Sequence, residues 1–298
     1  MGKIIDIYAY SYGNAAQNYG AEQGPEIIRK ALKRKADQFH WYGPFSIENH
    51  KQQLDALQDV VTLSQLLSKQ VLRSVLHNHF FITLGGDHSC AIGSWSGAAA
   101  AIQNHGDLGL IWFDAHMDAH THQSTITNNI HGMPLAALLG HGLPELTHIL
   151  STQPKLKPEN VALIGTRSYE SGEAALLKRL NVKLFDMQDI ATRGLASVIE
   201  EAVQVVTKNT YRFGISIDLD GFDPLEAPGV GTPEVNGINA KEFLANLFAI
   251  AGHKNFIGMD IAEFNPSLDQ DHKTESLIIS LIDASTKACR LRTSEPQS

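Results

Sequence analysis

The chain is poor in cysteine, in basic clusters and in long apolar runs, and each shortage removes a class of function. Only Cys90 and Cys289 occur, far apart and outside any metal-ligand spacing, so neither a disulfide framework nor a thiolate metal site is expected. No apolar stretch is long enough to span a bilayer, and "MGKIIDIYAY" lacks a signal-peptide layout. Asp6 stands where an N-myristoylation signal needs Ser or Thr. A cytoplasmic protein with reduced thiols and no membrane partner is the expectation. Lysine and arginine total 24 against 32 acidic residues, a formal charge of −8, and they gather into no stripe, so nucleic acid is not an expected partner. Neither G-x-x-x-x-G-K-[ST] nor G-x-G-x-x-G is present, so nucleotide phosphates have no cradle.

What remains is a globular composition: 298 residues, 43% hydrophobic and 19% charged, enough to build a sizeable core. Strand-length apolar runs recur at 4–10, 80–84, 108–113, 161–166, 182–185, 213–217 and 256–261. Helical-period segments lie between them, at 24–35, 54–76, 172–180, 194–208, 240–252 and 274–291. This alternation predicts an α/β fold with a largely parallel sheet and helices on both faces. No repeat or linker divides the chain, so one domain over 1–291 is expected, with 292–298 a frayed tail. Open α/β sheets place their sites beyond the carboxyl ends of the strands. The polar residues after each apolar run are therefore where chemistry should sit.

Three such places stand out. "FFITLGGDHSC" puts two glycines before His88; alone it reads more readily as a plain glycine turn than as a bend that aims His88 into a cleft. "LIWFDAHMDAH" runs from a buried strand straight into Asp114, His116 and Asp118, which share one face of an extended chain. "FGISIDLDGFDP" repeats the device with Asp218 and Asp220, although alone it could be an acidic turn. Together they supply four carboxylates and two imidazoles. So many carboxylates at one point would repel and protonate unless neutralised. Two divalent ions balance them, and an oxygen-rich set with a minority of histidine favours Mn²⁺ over Zn²⁺. Such a pair can hold a bridging water, deprotonate it near neutral pH and aim it at an electrophilic carbon.

In order and spacing, "GGDHS", "DAHMD" and "SIDLDGFDP" resemble the signature segments of the ureohydrolase family, the arginases, agmatinases, formiminoglutamases and their relatives. The resemblance extends from "EQGP" near Glu22 to "EFNPSL" at 263–268. It implies a three-layer α/β/α fold, two Mn²⁺ ions held by His88, Asp114, His116, Asp118, Asp218 and Asp220, and hydrolysis of a guanidino group to urea and an amine. It also implies a homo-oligomer, trimer or hexamer. By the same matching His131 would pass a proton to the leaving amine, and Glu263 would pair with the substrate guanidinium.

The loop from Asp118 to "HGMP" looks more like that of arginases than of agmatinases, which favours L-arginine, giving urea and L-ornithine. Three departures bear on that choice. His120 stands where arginases carry Asn, Thr127 where they carry Ser, and Glu170 where they carry Asp. The first two would meet the substrate α-carboxylate and the third its α-amino group. Agmatine or another guanidino acid is the competing substrate. A deacetylase-like metallohydrolase or a non-catalytic relative would be marked by fewer ligands, and none of the six is missing.

Overall fold

The computed structural model describes residues 3–17 and 20–292. The strands are β1 (Ile5–Tyr10), β2 (His40–Phe45), β3 (Phe80–Gly85), β4 (Asp107–Phe113), β5 (Val161–Thr166), β6 (Lys183–Asp186), β7 (Thr210–Asp218) and β8 (Phe256–Ala262). They form one eight-stranded sheet in the order β2-β1-β3-β8-β7-β4-β5-β6, and every pairing is parallel. The expected α/β class therefore holds, with the sheet wholly rather than largely parallel.

A parallel sheet covered on both faces needs apolar side chains on both, which is why its strands read as unbroken apolar runs. In β4, Leu110 and Trp112 belong to one hydrophobic core while Ile111 and Phe113 belong to the other. The first core is closed by α2 (Leu57–Leu76) and α3 (Cys90–Ile102), the second by α8 (Leu195–Thr207), α9 (Ala240–Gly252) and α10 (Lys273–Arg292). The result is three layers, with α4 (Pro134–Leu138), α5 (Pro144–Thr147) and α6 (Ser171–Leu180) adding to the first core and α1 (Gly24–Ala31) and α7 (Met187–Arg193) to the second.

Several expectations need correction. The helix expected over 24–35 stops at Ala31 and continues as a 3₁₀ segment, Leu32–Gln38. Strand β2 and helices α3, α4, α5 and α7 were not read from the sequence. The expected tail begins at 292, but Arg292 is the last residue of α10, and 293–298 lie outside the described residues. Among the described residues no helix is long and apolar enough to cross a membrane.

Candidate metal centre and substrate pocket

Four strands adjacent in the sheet, β3, β8, β7 and β4, deliver their carboxyl ends to one place. After β3 the chain turns tightly under Tyr12. A Cβ on Gly86 would fall 2.1 Å from the Tyr12 carbonyl oxygen, so space rather than backbone angle requires glycine there. The turn seats His88 in the interior with no exposure, its ring stacked on Trp112 at 4.4 Å between centroids. His88 Nε2 lies 2.9 Å from Ser216 Oγ, which donates onward to Asp260 Oδ1 at 2.6 Å. That relay assigns the ring proton to Nε2 and leaves Nδ1 bare.

The bare Nδ1 faces carboxylates: Asp118 Oδ2 at 2.9 Å, Asp218 Oδ2 at 3.1 Å and Asp114 Oδ2 at 3.4 Å. Neither His88 Nδ1 nor Asp118 Oδ2 has a hydrogen-bond partner among the described residues, although both are buried. Beside this group, His116 Nδ1 lies 3.2 Å from Asp220 Oδ2 and 3.5 Å from Asp114 Oδ1. Two of the three metal-capable sets among the described residues lie here, His88–Asp114–Asp118–Asp218 and Asp114–His116–Asp220, sharing Asp114; the third is His120–Glu170–Glu173. All six residues singled out in the sequence are thus brought together.

Crowding these charges has the expected effect. Burial and the Asp114 charge push Asp118 up to about 6, and burial with the Asp220 and Asp114 charges pushes Asp218 well above the usual carboxylate range. A buried cluster of converging lone pairs on nitrogen and oxygen donors, with two of them orphaned, fits divalent cations and fits little else. Backbone strain marks the same spot: Asp118 (φ 48°) and Glu263 (φ 71°) both lie in the left-handed region although neither is glycine.

Glu263, at the end of β8, is buried and turned inward. Its Oε1 accepts from the His88 N–H at 2.7 Å and lies 3.0 Å from His131 Nδ1. It does not line the pocket, whereas His131 does. Burial alone would lower the His131 pKa, but the Glu263 carboxylate, helped by Asp118 and Asp87, holds it up at about 9. Cations among the neighbouring aspartates would oppose that upward shift.

The pocket above these residues has a volume of about 150 Å³ and includes Asp118, Asp218, Asp220, His131, Thr127 and Thr232 in its walls, with no lysine or arginine. Such a cavity suits a cation. At its outer end His120 and Glu170 meet each other, Nε2 to Oε2 at 2.6 Å, while His120 Nδ1 lies 3.2 Å from Ser124 Oγ. The resemblance implies a substrate contact for each of these residues; the structure pairs them directly with each other. Thr127 reaches the wall from an exposed loop position.

Some contributors escaped the sequence reading. Glu173 lines the pocket almost fully buried, accepting from the N–H groups of Glu170 (2.9 Å) and Ala119 (3.3 Å). Its place three residues after Glu170, in the first turn of α6, was the available signal. Arg167, just past β5, donates to six backbone carbonyls: Gly165, Asp220, Gly221, Phe222, Glu234 and Val235. It clamps the loop that carries Asp220. Ser216 and Asp260 lie inside apolar strands, where nothing in the pattern distinguishes them from core.

With this geometry in view, the likeness to known proteins is specific. The Arginase family model matches residues 5–286. An arginase of Bacillus caldovelox is 38% identical, covering 94% of this chain and 97% of its own. The crystal structure of arginase from Bacillus subtilis superposes with a TM-score of 0.87 at 34% identity, covering 95% of this chain and 98% of that one. That of Entamoeba histolytica arginase in complex with L-ornithine does so at 0.88 and 26%, covering 96% and 98%. The chain belongs to the arginase family.

Proposed function

We propose that this arginase-family hydrolase cleaves the guanidino group of L-arginine to urea and L-ornithine, using two Mn²⁺ ions. The observation that carries the reading is a pair of buried ligand atoms, His88 Nδ1 and Asp118 Oδ2, without a hydrogen-bond partner among the described residues and inside the six-residue cluster. In this reading His88, Asp114, Asp118 and Asp218 hold one ion, and Asp114, His116 and Asp220 take part in holding the other. When bound, the two ions supply the positive charge that acidifies water near neutral pH.

The protein's own groups account for the rest. The acid-lined, lysine-free pocket admits a guanidinium and excludes anions. With Nδ1 tied to Glu263, His131 has Nε2 free to pass a proton to the departing amine nitrogen as its C–N bond breaks. Glu263 keeps that ring oriented and charged; for the guanidinium pairing that the resemblance implies, its carboxylate would have to turn outward from the His88 N–H and His131. L-arginine is favoured by the arginases the chain resembles, one of them crystallised with L-ornithine.

A second reading, hydrolysis of agmatine or another guanidino compound, draws on the His120–Glu170 contact, which commits two of the three residues expected to meet an α-amino acid to each other. Urea release after Mn²⁺ loading, with L-arginine and agmatine compared at equal concentration, separates the two. Metal analysis tests the centre: one ion per chain, or none, would overturn the dinuclear reading. A cytoplasmic homo-oligomer, trimer or hexamer, completes the proposal and is testable by light scattering.

A further inference from the structure

The outer wall of the pocket includes part of a loop, residues 121–129, that contains no helix or strand. Its shape is fixed from a distance. Gln53 donates from Nε2 to the carbonyl oxygen of Thr127, 74 residues on, and to Asn129 Oδ1, 76 residues on, at 3.1 Å. Both recipients line the pocket. Gln53 is itself constrained: its φ is 55°, in the left-handed region that side chains other than glycine and asparagine avoid, and its N–H donates to the Asn14 carbonyl at 2.8 Å. The rest of the fold holds this glutamine where its amide reaches the loop.

The consequence lies in the polarity of the Asn129 amide. An N–H from Gln53 must face an oxygen, so Asn129 Oδ1 is turned to Gln53 and Nδ2 is turned the other way. Asn129 Nδ2 makes no hydrogen bond among the described residues. It differs in this from the nearby His120, whose two ring nitrogens are committed to Ser124 and Glu170. In a pocket without lysine or arginine, Asn129 Nδ2 is a ready donor for a negatively charged tail.

We propose that Gln53 is a positioning residue for substrate selection: by holding Asn129 Oδ1 it presents the Asn129 amino group to the carboxylate of a guanidino acid. The inference rests on the guanidino-hydrolase reading and adds how such a site distinguishes a guanidino acid from a guanidino amine.

The test uses three variants of the Mn²⁺-loaded protein. Gln53→Glu keeps the size but offers only acceptors, Gln53→Lys keeps a donor, and Gln53→Gly removes the side chain at a backbone angle that suits glycine. KM for L-arginine should rise about tenfold in the Glu and Gly variants, the scale of one hydrogen bond to a charged group, with kcat within about twofold. The Lys variant should stay near wild type. KM for agmatine, which has no carboxylate, should not rise in any of them. Unchanged KM for L-arginine in the Glu and Gly variants overturns the proposal, as does an equal rise for agmatine. Urea release by the wild type tests the underlying reading separately. Should no urea appear, calorimetric L-arginine binding to wild type and variants supplies the same ratio, and no binding to the wild type overturns the proposal as well.

Discussion

His88 Nδ1 and Asp118 Oδ2 face each other across 2.9 Å, both buried and both without a hydrogen bond among the described residues. A neutral imidazole nitrogen and a carboxylate oxygen in that arrangement oppose one lone pair with another, and only a proton or a cation between them removes the cost.

Metal removal should therefore destabilise the fold as well as stop turnover. With metal a thousandfold above its Kd, linkage gives about 4 kcal/mol, roughly 6–7 °C in melting temperature for a chain of this size. A melting curve with and without chelator checks it; an unchanged midpoint would rule out a cation-stabilised centre.

Replacing His131 by Asn keeps a polar group beside Glu263 but removes the titrating nitrogen. The expected result is a fall in kcat of about 10²–10⁴-fold with KM changed far less. A kcat within fivefold of wild type would take the proton-transfer role away from His131.

The chemistry was legible because it lies where buried strands stop. Asp114, Asp218 and their neighbours stand out as charges that abruptly follow apolar runs, and the apolar runs themselves mark seven of the eight strands. The eighth, β2, hides because it is an edge strand: "HWYGPF" is mostly exposed and contains Pro44, so it lacks the double-sided burial that makes the others conspicuous. Helix α3, "CAIGSWSGAAAAI", hides for the opposite reason. It is buried nearly all round and shows little amphipathic period, so small residues that pack against α2 read as a featureless stretch. Ser216 and Asp260 could not be found at all, since a hydrogen bond from a buried strand to His88 leaves no trace in spacing.

Glu173 gives a pH dependence with a definite sign. Burial, and the charge of Asp118, lift its pKa from 4.5 to about 8. Between those values the folded chain keeps a proton that the unfolded chain has lost, so this contribution to stability is full below pH 4.5 and disappears as pH rises through 8. In chelator-treated protein the melting temperature of wild type should fall more steeply across that window than that of Glu173→Gln. Parallel curves would show that Glu173 does not titrate there.

Arg167 offers a test of how the Asp220 loop is held. A lysine cannot reproduce six hydrogen bonds from one planar group. Arg167→Lys should cost about 3 kcal/mol in denaturant unfolding, and metal affinity should weaken with it, because Asp220 loses its support. Full stability with full metal affinity would mean the clamp is redundant.

The order of strands in the sheet has a consequence for how the protein comes into being. Among the described residues β8 is the last strand made, yet it sits in the middle, between β3 and β7. Until it inserts, the strand ending near His88 and the strands ending at Asp114 and Asp218 have no shared edge. The centre is thus split between two halves of a growing chain, and its keystone is the final strand, which also brings Glu263 onto the His88 peptide, 175 residues away in sequence. A ribosome-bound chain halted before Phe256 is expected to capture no metal, and completion of the fold and of the site to be the same event.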